Sequence, residues 1–250
     1  AAGNSSLTPA PGNTVRIEVV DVDRDNRSKA ERLMDSLGTE NSVDLFPPAT
    51  WTSHPATRYA GADYPGLRPT GSWRLDPDGE LRGLDPDELG WRDRDTAEPV
   101  DLSDRQFVLA YGSNADPHKL LTKEGFLGGH SVFGLRAAIF GWAAVWCDAR
   151  RGDDTVVASL ARAPGRVEVH PVLALTADQL RFMNRWEGDP DCYRRTAHHD
   201  PLQWESGRWA TERVEVYLGT PEERPALQVD GRPVLCADVG FAKIDRLVKR

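Results

Sequence analysis

"QFVLAYGSNADP", Gln106 to Pro117, breaks an apolar run against a turn of small and polar residues. Phe107, Val108, Leu109, Ala110 and Tyr111 lead without interruption into Gly112, Ser113 and Asn114. An apolar run of this length ending on a turn signal predicts a buried strand. Gly-Ser-Asn turns a chain sharply or leaves backbone N–H groups free, so the loop is a candidate for holding a ligand. Asp116 and Pro117 are a good N-cap and first helical residue, which predicts a short helix through Leu120 and Leu121.

Downstream the pattern predicts strands over Ala137 to Cys147, Thr155 to Ala163 and Arg166 to Thr176. "TADQLRFMNRWEG" follows. There Thr176 and Gln179 stand at capping-box spacing, Leu180, Met183 and Trp186 share a side, and Gly188 marks the stop. Two more strands, Tyr193 to His199 and Trp209 to Leu218, and a terminal helix, Phe241 to Val248, complete this part. Strands outnumber helices and short loops join them, so the expected fold is α+β: a small, mixed, largely antiparallel sheet, open or closed into a barrel, with flanking helices.

Upstream the pattern is weaker. "AAGNSSLTPAPGN" reads as a flexible tail over 1–13. Thr14 to Asp23 predicts a strand, and "SKAERLMDSLG" predicts a helix capped by Ser28 and Glu31 and stopped at Gly38. From Phe46 to Val100 the chain is rich in Pro, Gly and Asp but keeps scattered aromatics, which predicts an irregular segment lying against the main domain. The division is therefore a tail (1–13), an N-terminal extension (14–100), a domain carrying the motif (101–220) and a C-terminal extension packed on it (221–250).

The net charge of −8 sits mainly in the first hundred residues, which carry 18 acidic and 11 basic groups against 21 and 20 in the remainder. Neither part concentrates the positive charge that a phosphate backbone requires, which argues against nucleic acid as a partner. No stretch approaches the roughly 18 to 20 apolar residues of a membrane span, so no membrane partner is expected. Cys147, Cys192 and Cys236 are far apart and odd in number, which predicts free thiols and a reducing, cytoplasmic compartment.

Glu187 is the carboxylate of interest. It closes the best-defined helix, beside Trp186 and before Gly188, where the helix dipole and an aromatic neighbour both disfavour a charged carboxylate. By itself a glutamate in that place is usually a solvated surface residue. A strand ending in Tyr111-Gly112-Ser113-Asn114, then a helix ending in Glu187-Gly188, then Tyr193 is a more specific combination, and over about residues 107–218 the chain resembles the γ-glutamylcyclotransferase-like superfamily.

The resemblance implies a small mixed β-barrel with flanking helices and a cofactor-free, metal-free reaction on a γ-glutamyl amide. It implies that Tyr111, Gly112, Ser113 and Asn114 bind substrate and that Glu187 is the catalytic acid/base. Tyr193 is a candidate to hold Glu187 or a substrate carboxylate through its hydroxyl, and a wall residue otherwise. The alternatives left open are a binding protein on the same fold and a hydrolase of the same amide. The upstream hundred residues are open to capping the site, to homodimerisation or to binding another partner.

Departures from the family pattern bear on substrate identity. His170-Pro171 replaces a glycine position expected near the pocket, and Trp142 and Trp146, at even spacing on one strand, are candidates to line a leaving-group pocket or to be core. His198-His199-Asp200 lacks a second cluster at ligand spacing, and Ser113 lacks a G-x-S-x-G elbow, so metal and serine-hydrolase chemistry are disfavoured.

Overall fold

The computed structural model describes Phe46, His54, Pro55, Tyr64 and residues 68–248. The tail over 1–13 and the elements expected over Thr14 to Asp23 and Ser28 to Gly38 lie outside the described residues. In chain order the strands are β1 (His54–Pro55), β2 (Ser72–Leu75), β3 (Glu80–Pro86), β4 (Trp91–Asp93), β5 (Gln106–Leu109), β6 (Val132–Arg150), β7 (Val156–Leu175), β8 (Tyr193–Ala197), β9 (Leu202–Trp204), β10 (Val214–Gly219), β11 (Gln228–Val229) and β12 (Arg232–Pro233). The helices are α1 (Pro117–Leu121), α2 (Ala177–Glu187) and α3 (Phe241–Leu247).

The apolar run of β5 is explained by its place in the sheet. It pairs antiparallel with β7, Val108 opposite Leu173, and parallel with β10, Val108 opposite Glu215. Successive side chains point to opposite faces. Val108 and Leu109, each 2% exposed, therefore enter two different apolar clusters, one with Leu120, Leu180 and Met183 and the other with Trp146, Leu160 and Val216. A strand buried on both faces has no reason to alternate.

The fold is α+β, with a mixed, largely antiparallel sheet and flanking helices. The main sheet runs β1-β3-β2-β6-β7-β5-β10-β8, with β4 on β3 and β9 on β6. Among the described residues this path does not close into a barrel: β1 and β8 remain its two ends.

Two expectations about individual strands are corrected as well. The strands expected at Thr155 to Ala163 and Arg166 to Thr176 are one strand, β7. Pairing with β6 passes from Phe140–Val167 to Trp142–Arg162, so residues 163–166 oppose Gly141 alone. Gly141 and Gly165 sit at φ 72° and 82°, and this bulge gives Pro164 a place where no ladder N–H is required. The distal half of the hairpin then receives the C-terminal chain, with a bridge from Val145 to Leu235 and Trp146 Nε1 donating to Val239 at 2.7 Å.

The second correction concerns residues 72–93, expected to be irregular. They form β2, β3 and β4, added to the edge of β6 through pairing of Trp73 with Gly134. A tight turn at Asp76 to Gly79 joins β2 to β3, and Trp73, Leu75, Leu81, Leu84 and Trp91 supply buried faces. Density of Asp, Pro and Gly marked the turns and obscured the short alternating strands between them.

The helix termini follow their sequence signals. Asp116 Oδ1 accepts from the His118 N–H at 2.9 Å with Pro117 at the first position of α1. Thr176 and Gln179 form a reciprocal capping box on α2. Gly188 closes α2 in the left-handed region at φ 65°, ψ 42°, which fixes the direction in which the chain leaves Glu187. No described helix is long and apolar enough to cross a membrane. The three cysteines are free thiols.

Candidate active site

The loop after β5 and the C-terminal end of α2 face the same cavity of about 270 Å³. Tyr111, Gly112, Ser113 and Asn114 line it from one side, and Arg185, Trp186, Glu187 and Gly188 from the other, with Tyr193 in the wall. The six residues named as catalytic or substrate-binding candidates, Tyr111 to Asn114, Glu187 and Tyr193, thus meet around one space.

The loop does this by a local device. Ser113–Ala115 is a single 3₁₀ turn, closed by Ala115 N–H to Gly112 and Asp116 N–H to Ser113. The N–H groups that open such a turn have no partner within it, so those of Ser113 and Asn114 remain for other acceptors. A Cβ at Gly112 would meet Tyr64 Oη at 3.4 Å, an ordinary contact distance. The protein could hold that methyl, at the expense of cavity space.

Asn114 Nδ2 donates to Glu187 Oε1 at 2.7 Å. Asn114 Oδ1 in turn accepts from Lys123 Nζ at 2.6 Å, and Lys123 Nζ lies 3.9 Å from the same Glu187 oxygen. The Lys123 side chain is fully buried, with its ammonium 3.3 Å from Met183 Sδ and 4.8 Å from the centre of the Trp186 ring. Burial pulls Lys123 down from the ordinary lysine value to about 7, with the charge of Glu187 acting in the opposite direction. Thus Glu187 Oε1 receives the Asn114 amide and faces the Lys123 ammonium.

Four tyrosines wall the cavity, and their hydroxyls are engaged with the protein. Tyr111 Oη donates to the Tyr217 carbonyl, Tyr217 Oη donates to Asn184 Oδ1 at 2.5 Å, and Tyr64 Oη accepts from the Ala158 N–H at 3.0 Å. Tyr193 Oη donates to the Ala158 carbonyl at 3.0 Å, which places it in the wall; its hydrogen bond does not go to Glu187. Burial, reinforced by the charge of Glu187, raises all four above the usual phenol value and keeps them neutral. Arg151, Arg185 and Arg224 also line the cavity and bring positive charge to it.

The departures noted in the sequence lie elsewhere. His170 does not line this cavity. It is buried, with Nε2 2.8 Å from Glu168 Oε2 and Nδ1 2.9 Å from Arg68 Nη1. Burial lowers its pKa, so the neutral ring can accept from Arg68 while donating to Glu168. Arg68 also donates to the Tyr111 carbonyl, so this group reaches the loop through its backbone. Neither Trp142 nor Trp146 lines the cavity: Trp146 is core, and Trp142 Nε1 donates to Asp200 at 2.8 Å, under the guanidinium of Arg162. The carboxylate of Asp200 is therefore engaged in holding that indole and Arg162.

No family model and no curated protein matches the chain. Solved structures do. One is a γ-glutamyl cyclotransferase, 13% identical with a TM-score of 0.39, over 48% of this chain and 68% of that one. The chain is similar to γ-glutamylcyclotransferase-like proteins. An AIG2-like protein from Mus musculus is 21% identical over 47% of this chain and 81% of its own, with a TM-score of 0.34. A γ-glutamyl cyclotransferase specific to glutathione, from yeast, is 16% identical over 48% and 71%, with a TM-score of 0.33.

Lys123, Asn184, Tyr64 and Tyr217 were not singled out from the sequence. Lys123 carries no local signal, because its partners are nine residues upstream and sixty downstream. Tyr217 sits in an expected strand, where a tyrosine reads as packing.

Proposed function

We propose that this chain is a γ-glutamylcyclotransferase-type enzyme that converts a γ-glutamyl amide to 5-oxoproline and a free amine. The observation that carries the reading is the contact of Asn114 with Glu187 across one cavity, which joins the two halves of the motif.

The substrate contains its own nucleophile. With the γ-glutamyl group folded against Tyr111 to Asn114, its α-amine lies near its γ-carbonyl, and ring closure gains the advantage of an intramolecular reaction. Glu187 takes a proton from the α-ammonium. The amine then attacks the γ-carbon, forming the ring C–N bond, and the carbonyl oxygen takes up negative charge. N–H groups of Ser113 and Asn114 are the donors available to that oxygen. Collapse of the tetrahedral species breaks the original amide C–N bond while the Glu187 carboxyl protonates the departing nitrogen. The ring nitrogen loses two protons in all: one passes through Glu187 to the departing nitrogen, and the other leaves the released amine as an ammonium, so the step balances and no cofactor enters. Arg151, Arg185 and Arg224 give the substrate carboxylate a choice of cationic partners.

The test is product analysis by mass spectrometry after incubation with a panel of γ-glutamyl amino acids, amines and glutathione. 5-Oxoproline should form with the wild-type protein and fall at least about 100-fold with Glu187→Gln, the lower range for losing a general acid/base. Glutamate as product would indicate hydrolysis. Activity surviving the substitution would remove Glu187 from the mechanism.

A further inference from the structure

We infer that Lys123 is a positioning residue of this cavity: it fixes Asn114 as a hydrogen-bond donor to Glu187 and thereby holds the carboxylate for reaction. The inference rests on the cyclotransfer reading of the site.

Lys123 is not among the residues lining the cavity, so it acts through its neighbours. An ammonium withdrawn from water loses several kcal/mol of hydration. What it receives here is modest: one amide oxygen, a thioether, two aromatic rings and a carboxylate oxygen at 3.9 Å. An apolar side chain of similar length would fill this apolar pocket beside Met183 and Phe126 without that cost. The charge stands where it touches the loop and the glutamate.

Its effect follows from the chemistry of the amide. An Asn side chain can be turned over to exchange its acceptor and donor ends, and only its partners decide which way it points. An ammonium only donates, so Asn114 Oδ1 faces Lys123 and Nδ2 is left facing Glu187. Both contacts with the carboxylate fall on Oε1, and among the described residues no donor reaches Oε2. That oxygen is left for the substrate's ammonium. Glu187, an acceptor, also selects the Nδ2 end, but without Lys123 the Oδ1 end of the amide loses its anchor and the hold of Asn114 on the carboxylate loosens.

A double-mutant cycle tests this. Lys123→Met should lower kcat about 10- to 100-fold, as expected for loss of one charge-assisted hydrogen bond, with KM changed less than about threefold. Asn114→Ala should cost a similar factor, and the double variant should be no worse than Asn114→Ala alone, because both remove one linkage. Additive losses, or a Lys123→Met enzyme within threefold of wild type, would overturn the inference and leave the cyclotransfer reading standing.

If the wild type releases no 5-oxoproline, that reading fails, and the linkage is judged by NMR on the wild-type protein. Among the described residues the charged groups facing Lys123 are Glu187 from α2, Lys119 from α1 and Arg151 from the β6–β7 turn. The Asn114 side-chain amide signals should titrate with a midpoint near the value of about 7 held by Lys123, and this step should vanish in Lys123→Met. Amide signals without that step would overturn the inference independently of activity.

Discussion

Asn114 and Glu187 stand 73 positions apart, and the amide nitrogen of one lies 2.7 Å from the carboxylate of the other. The contact joins the loop after a central strand to the end of a capped helix, so each element fixes the other's functional group. Replacing Asn114 by Leu keeps the branching at Cγ and removes the donor. We expect kcat for 5-oxoproline release to fall about 10- to 100-fold, with KM nearly unchanged, as for a lost hydrogen bond to a charged group. Steady-state kinetics check this; a change confined to KM would make Asn114 a substrate contact alone.

Tyr193→Phe should separate the wall role from the catalytic one. Its hydroxyl donates to the Ala158 carbonyl, so the substitution should cost about 1 kcal/mol of stability in denaturant unfolding and change kcat less than about threefold. A loss of two orders of magnitude in kcat would return the hydroxyl to the reaction.

Gly188→Ala should damage both fold and site. The residue closes α2 at φ 65°, and a Cβ would meet Cys192 Cβ and Sγ at 3.3 Å. The strain should cost about 1–2 kcal/mol, and the altered exit of the helix should displace Glu187. Thermal unfolding and kinetics on one preparation measure the two effects.

His198 gives a pH dependence of stability with a defined sign. Burial lowers its pKa to about 4 from the ordinary 6.5, partly offset by Asp200. The unfolded chain therefore binds a proton between these values that the folded protein refuses, and stability present above pH 6.5 is lost as pH falls toward 4. At 1.36 kcal/mol per unit the full effect is ~3 kcal/mol. His198→Leu should flatten this part of the curve of unfolding free energy against pH; an unchanged slope would assign it to other groups, with His170 next because burial lowers it too.

Much of the architecture was legible because its signals are local. The capping box at Thr176 and Gln179, the stop at Gly188 and the Asp116-Pro117 start are each written within a few residues, and backbone sterics make them act wherever the helix lies. The run Phe107 to Tyr111 likewise carried its own reading, since burial on both faces of β5 demands apolar side chains in succession. The joining of Thr155–Ala163 to Arg166–Thr176 was hidden, because Pro164-Gly165 ends a strand in most contexts and here sits opposite the Gly141 bulge of a partner strand. The short strands over 72–93 were hidden for a related reason: their pairing with β6 makes them strands, and pairing is nonlocal.

The candidate site divides the same way. Residue types and order named Tyr111 to Asn114 and Glu187, but placed Tyr193's hydroxyl and His170 by analogy, and packing sent one to Ala158 and the other to Glu168 and Arg68. Lys123 lies at the far end of that scale. In sequence it is a lysine after a short helix; its burial and its grip on Asn114 exist only once α1, α2 and the loop are packed together. Local backbone preferences act through neighbours in the chain, whereas the environment of a charge is set by whatever the fold brings within a few ångströms of it.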